Sequence, residues 1–188
     1  MLFHHNRIRT HPQEYVKPLK KKLEKFKGNL YTTETGCEEI TNEGPRAVEE
    51  AINFLLAAQS GEPLRWSDGL AQAAKYHVND IGPKGMTGHN SSNGNSMDER
   101  IESFGEWHCT ISESCSFGTE SGLEVILGLL VDDGVPNRGH RKNMFNPESK
   151  VCGIFSGPHK EYTMMTTIDY AGGFDSKYNK APESKHKI

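Results

Sequence analysis

The sequence predicts an α+β fold: a single α-β-α sandwich with a short antiparallel sheet between helical layers. Two observations carry this expectation. Apolar residues recur at helical spacing through the first half of the chain and again over 123–130, but alternate with period two over 109–117 and 161–170. Helical segments come first, followed by a strand, a helix and a hairpin, an order that does not generate a parallel βαβ sheet. With 188 residues the chain suffices for one domain with a substantial core.

The first helix is expected over Thr10 to Lys27. Tyr15, Leu19, Leu23 and Phe26 form its apolar stripe, Pro12 suits an early position, Gly28 ends it, and Pro18 should kink or restart it. Pro45 opens a second helix with Val48, Ile52, Leu55 and Leu56 on one side. Ser67 caps a third, with Leu70, Ala74, His77, Val78 and Ile81 inward and Gly82 at its end. On that apolar face His77 reads as a buried structural histidine. Residues 82–96 form a long Gly/Ser/Asn loop centred on His89, and loops of this length serve a function or stay disordered.

Ser96 with Glu99 makes a capping box for a short helix ending at Gly105. From Cys109 to Phe117, Ile111, Glu113 and Cys115 share one side of a strand. An inward carboxylate needs a partner. Ser121 with Glu124 repeats the capping box before Leu123, Ile126, Leu127 and Leu130. That helix ends in Asp132-Asp133-Gly134, where two acids face the negative end of the dipole and call for a nearby cation. Asp133 reads as a solvated turn residue. A hairpin follows: Lys150 to Ser156, a turn over Gly157–Lys160, and Glu161 to Tyr170, with Tyr162, Met164, Thr166, Ile168 and Tyr170 on one face. The expected organisation is a basic helix and loop over 1–44 packed on a domain of 45–173, then a polar tail over 174–188.

Charge is distributed unevenly. Residues 1–28 carry eight Lys/Arg against two acids, residues 29–135 five against eighteen, and residues 136–188 nine against five. A basic flank around an acidic body argues against a nucleic-acid binder. It leaves the lysines of the first helix as a solvated face that can also meet an acidic partner or an anionic membrane. The longest apolar run, Val125 to Val131, is too short to span a bilayer, which needs about twenty residues. The opening Met-Leu-Phe-His-His-Asn-Arg lacks the apolar stretch of a secretory signal, so an intracellular setting is expected unless an N-terminal segment was removed. Cys109 and Cys115, six apart on an extended strand, stand roughly 20 Å apart, too far to bridge. Free thiols in a reducing compartment follow.

The chemistry concentrates on four residues. His140 sits in the polar turn Asn137-Arg-Gly-His-Arg-Lys-Asn-Met-Phe145, and its potential partners upstream are His89, Glu113 and Asp132. Two imidazoles with carboxylates and an open position suit zinc, the acids either orienting the histidines or donating oxygen. A metal- or carboxylate-activated water would make the site hydrolytic, and a satisfied polar network would make it structural. No zincin helix, phosphate loop or GxSxG elbow is present. Cys115 has no arrangement that marks a thiolate.

Five separated segments carry a resemblance. Trp66-Ser-Asp-Gly-Leu-Ala-Gln-Ala-Ala74, Gly88-His89, Arg100-Ile101 with Gly105, Ser112-Glu113, and Gly139-His-Arg-Lys-Asn-Met144 resemble, in this order, the CAP superfamily of sperm-coating, pathogenesis-related and venom-antigen proteins. The likeness spans about residues 45–172 and leans to the bacterial and protist branch. It implies an α-β-α sandwich whose cleft brings two histidines and two acids to a divalent cation, here His89, Glu113, Asp132 and His140. The chain departs from the family in having Asp132 for the usual Glu, and Ser112-Glu113-Ser114 for Gly-Glu-Asn. The resemblance further implies a non-catalytic binding module for a protein, a small apolar or lipid ligand, or a glycan, with zinc or another divalent cation weakly bound. A cation-dependent hydrolase and an architectural subunit with a vestigial cleft are the alternatives.

Overall fold

The computed structural model describes residues 1–33, 36–119 and 121–177. In order these form α1 (Leu2–Thr10), a 3-10 turn (Pro12–Tyr15), α2 (Val16–Leu23), β1 (Phe26–Lys27), β2 (Leu30–Thr32), β3 (Glu38–Ile40), α3 (Pro45–Ala57) and β4 (Arg65–Trp66). Then come α4 (Asp68–Ile81), α5 (Met97–Glu102), β5 (Gly105–Phe117), α6 (Gly122–Val131), α7 (Gly139–Phe145), β6 (Val151–His159) and β7 (Thr163–Ser176). The α+β class is the one expected. Two compact units share these elements, Met1–Pro63 with Glu120–Pro147 and Leu64–Thr119 with Glu148–Ile188.

The first unit is built around α3 and α6. Val48, Ile52 and Leu55 of α3 and Val125, Ile126 and Leu130 of α6 are buried, as are Tyr15 and Leu19 of the expected N-terminal stripe. That N-terminal helix is interrupted. Pro12 opens a 3-10 turn, and Pro18 falls in the first turn of a restarted α2, where a missing N–H costs nothing. The chain then leaves the helix at Glu24, and Phe26–Lys27 pair with β2 instead of extending it. Leu56, expected inward, is exposed. Helix α1 was not foreseen: its mean hydropathy is low, and buried His5, Ile8 and Arg9 anchor it, the guanidinium donating to the carbonyls of Glu62, Met144 and Asn146.

The second unit holds a four-stranded sheet in the order β4-β6-β7-β5. Strands β6, β7 and β5 are antiparallel as expected, and the two-residue β4 adds a parallel edge. Helix α4 lies on this sheet, burying Leu70, Ala73, Ala74, His77, Val78 and Ile81. Its N-cap is Ser67, whose hydroxyl accepts from the Leu70 amide. Gly82 caps the end of α4 as expected but stays right-handed, and the chain continues through a 3-10 turn to Gly85, where φ is +68°. The hairpin turn also falls later than expected. Gly157, Pro158 and His159 pair with Met165, Met164 and Thr163, so the strand runs on through them. Strand β7 reaches Ser176, into the segment expected to be a tail, and residues 178–188 lie outside the described residues.

The two capping boxes had different outcomes. At α5 the Ser96 amide donates to Glu99 Oε2 at 2.9 Å, closing the box. Ser121 is the N-cap of α6 but its side chain makes no capping bond. Ser96→Ala should therefore lower stability by about 1 kcal/mol, read as a lower urea midpoint with an unchanged slope. An unchanged midpoint would show that the Glu99 bond to the Ser96 amide suffices.

Candidate functional site

In the second unit the site starts from strand pairing. Glu113 on β5 stands directly opposite Asp169 on β7, which stands opposite Gly153 on β6. Opposed residues share a face, so two carboxyl groups meet on the side covered by α4. Both are buried. Arg100, from α5 and 2% exposed, donates Nη2 to Glu113 Oε2 and Nη1 to the His89 carbonyl at 2.7 Å. His89 Nδ1 donates to Glu113 Oε1 at 2.8 Å. One carboxylate thus holds an arginine with one oxygen and an imidazole with the other.

The loop carrying His89 is tied at several points. Asp80 accepts the Ser92 amide at 2.7 Å and the Lys84 ammonium at 2.6 Å. His159 Nε2 donates to the Met86 carbonyl at 2.9 Å, and His77 Nε2 to the Gly88 carbonyl at 3.0 Å. With Arg100 on the His89 carbonyl, four protein groups fix the backbone around this histidine. Its imidazole is left about half exposed.

The charges follow from these contacts. Burial opposes ionisation of Glu113, but the His89 hydrogen bond and the Arg100 charge outweigh it and hold the carboxyl below its usual range. Burial and then the neighbouring Glu113 charge push Asp169 well above the carboxylate range, which favours its protonated form. The hydrogen bond to Glu113 raises His89, against a smaller opposing effect of burial. Burial lowers His77, partly offset by Glu113.

In the first unit Asp132 ends α6 in the left-handed conformation, φ +57°. It is buried and accepts twice from one residue: the His140 amide at 2.9 Å and His140 Nδ1 at 2.6 Å. The cations that the end of this helix calls for are arginines. Arg141 donates to the carbonyls of Leu130 at 2.6 Å and Val131 at 3.1 Å, and Arg138 to that of Asp132 at 2.8 Å. The same guanidiniums pair with Glu43 and Glu50, whose hydrogen bonds to Arg138 bring both carboxyls down to about 2. Asp133 is no solvated turn residue. It accepts the amides of Asn42 at 2.7 Å and Glu43 at 2.8 Å, tying the chain ahead of α3.

The four expected residues thus form two carboxylate–imidazole pairs of one design. In each, the acid takes the Nδ1 proton and leaves Nε2 as the basic nitrogen, an arrangement that orients a metal-binding imidazole. The donor set fits a borderline cation such as zinc. Each acid is hydrogen-bonded to its imidazole at Nδ1, the position of an orienting group.

Sequence reasoning missed Arg100 and Asp169 as members of the site and set His77 and Cys115 aside. Asp169 left a signal, an acid centred in the apolar strand Thr-Thr-Ile-Asp-Tyr-Ala. His77 Nε2 lies 3.9 Å from Glu113 Oε1, and Cys115 Sγ 4.0 Å from His89 Nδ1.

The family profile described as CAP, the cysteine-rich secretory protein family, matches residues 2–170. No curated protein matches the chain. Among solved structures, an outer surface protein of Borrelia burgdorferi is 17% identical, with a TM-score of 0.48 over 57% of this chain and 76% of that one. An extracellular protein of Bacillus anthracis containing an SCP domain is also 17% identical, with a TM-score of 0.48 over 65% of this chain and 39% of that one. A cysteine-rich secretory protein of Staphylococcus aureus is 12% identical, with a TM-score of 0.42 over 68% and 37%. No helix among the described residues is long and apolar enough to cross a membrane.

Proposed function

Because the chain belongs to the CAP family of cysteine-rich secretory proteins, we propose that it is a non-catalytic binding module in which His89 and His140 offer Nε2 to a divalent cation, zinc foremost. The observation that supports this most is the matching pair of hydrogen bonds, Glu113 to His89 Nδ1 and Asp132 to His140 Nδ1. Two neutral nitrogens make a weak, open site, whose free positions would supply Lewis acidity toward a polar group of the bound ligand. That ligand is a protein or a small apolar, lipid or glycan molecule, and the exposed Lys17, Lys20 and Lys21 of α2 suit an acidic partner.

A hydrolytic role draws less support. The buried Cys115 thiol is pushed well up, by burial and then by the Glu113 charge, and the nearest imidazole nitrogen already gives its proton to Glu113. Export is also part of the reading. The family description names secretory proteins, which supports the secreted alternative over the intracellular setting expected from the first residues.

Zinc titration calorimetry of metal-stripped protein tests the cation. The wild type should release heat at one site, and His89→Ala/His140→Ala should release none. Affinity should fall as pH drops, because a proton competes for Nε2. Glu113 raises His89 above 6.5, so the loss should begin above that pH and be shallower in His89→Ala. Equal heats from wild type and double variant would end the zinc reading and favour the architectural one.

A further inference from the structure

We propose that the buried group beneath the Gly88–His89 segment is a second, soft-metal site, taking monovalent copper between the Cys115 thiolate and the His77 imidazole. The proposal does not rest on the zinc reading. One ligand atom from each of His77, Glu113 and Cys115 lies within 4.8 Å of the others, and all three residues are buried. A nitrogen and a thiolate on opposite sides of one ion stand about 4.3 Å apart, the sum of ordinary metal–nitrogen and metal–sulfur bonds. That bound leaves the nitrogen and the sulfur within reach of one shared ion. Cys115 and His77 reach it from two different elements, β5 and α4, whose inward faces both point there.

Three features select the ion. The donors are a sulfur and an imidazole, a pair that favours copper(I) over hard cations. Both Glu113 oxygens are already engaged, one by Arg100 and one by His89, so the carboxylate serves as counter-charge. Burial penalises any added net charge, and a monovalent ion that replaces the thiol proton adds none. Loading the site breaks the S–H bond, forms the S–Cu and N–Cu bonds and releases one proton to solvent. If the ion takes Nε2, the proton now donated to the Gly88 carbonyl moves to Nδ1. That nitrogen is buried without a hydrogen-bond partner, so it is open to receive the proton. Copper stays in one oxidation state throughout.

The test uses the full chain with the two exposed thiols removed, Cys37→Ser/Cys109→Ser, titrated without oxygen with copper(I) supplied as its bicinchoninate complex. This parent should withdraw one equivalent and develop a thiolate-to-copper charge-transfer band. Adding Cys115→Ala should weaken uptake by about a hundredfold or more, while adding Cys152→Ala should not change it. Adding His89→Ala/His140→Ala should leave copper uptake in place while abolishing zinc heat, which separates this site from the zinc reading. X-ray absorption of the copper-loaded parent should show one sulfur and one nitrogen neighbour, and it decides the matter if Cys115→Ala does not fold. A parent that leaves copper with the chelator, a Cys115→Ala protein that binds as the parent does, or a sulfur-only shell would overturn the proposal.

Discussion

Arg100→Leu should destabilise the protein by about 3–5 kcal/mol, the cost of leaving one partner of a buried ion pair alone. Arg100 is 2% exposed and Glu113 4%, so water cannot replace the guanidinium. Glu113 would escape by taking up a proton, which leaves two buried carboxyl groups facing each other without a cation, since burial and Glu113 already push Asp169 up. A protonated Glu113 is also a poorer acceptor for His89, so the loop carrying that histidine loosens at the same time. Urea melts at neutral pH measure the loss. The sign with pH is fixed by Glu113, whose carboxyl is held below 4.5 in the folded protein. Its stabilising contribution is present above that value and lost as pH falls through the folded one, so the gap between wild type and variant should narrow under acid. Arg100→Leu/Glu113→Leu should recover much of the loss. A single variant within 1 kcal/mol of wild type would mean that Glu113 finds water after all.

Gly153→Val should cost about 3 kcal/mol or more, at the upper end of what overpacking exacts. A Cβ at position 153 would land on the Leu70–Ala71 peptide of α4, and backbone cannot swing aside as a side chain can. The absent side chain is what lets α4 lie close on the sheet. Since Gly153, Asp169 and Glu113 form one row across three strands, lifting α4 would also withdraw His77 from Glu113. Thermal melts give the stability. The zinc heat of the variant should fall less than its stability, because His77 is outside the proposed zinc ligands. A Gly153→Val protein that melts with the wild type would show that α4 is not held to the sheet at this row.

What could be read from the sequence divides along physical lines. Elements held by periodic burial were legible: α3, α4, α6, and the β5 strand that points Glu113 inward all depend on local spacing of apolar residues. Features set by distant partners were not. Asp133 looks like a turn acid until Asn42 and Glu43 arrive from ninety residues away. The hairpin turn fell late because Pro158 is accommodated within the strand opposite Met164 and did not stop it. At the site, motif order singled out His89, Glu113, Asp132 and His140, and the structure pairs His89 with Glu113 and His140 with Asp132. Arg100 was quoted only as part of a motif, because an arginine on a short capped helix looks solvent-bound. Asp169 hid in an alternation whose other face had been counted.

Strand order has a consequence for how the protein is made. In the sheet β4-β6-β7-β5, the strand that joins both hairpin and site is β7, the last described strand to leave the ribosome. Until it emerges β5 has no neighbour among the described strands, and Glu113 and Cys115 wait on an unpaired edge about fifty residues back in the chain. The segment that builds the first unit's α6 and α7 is translated during that wait. Nascent chains halted before Thr163 would therefore carry an open strand that a chaperone or another chain can claim. Completion of this sheet waits for β7, so its timing is set by the emergence of that strand.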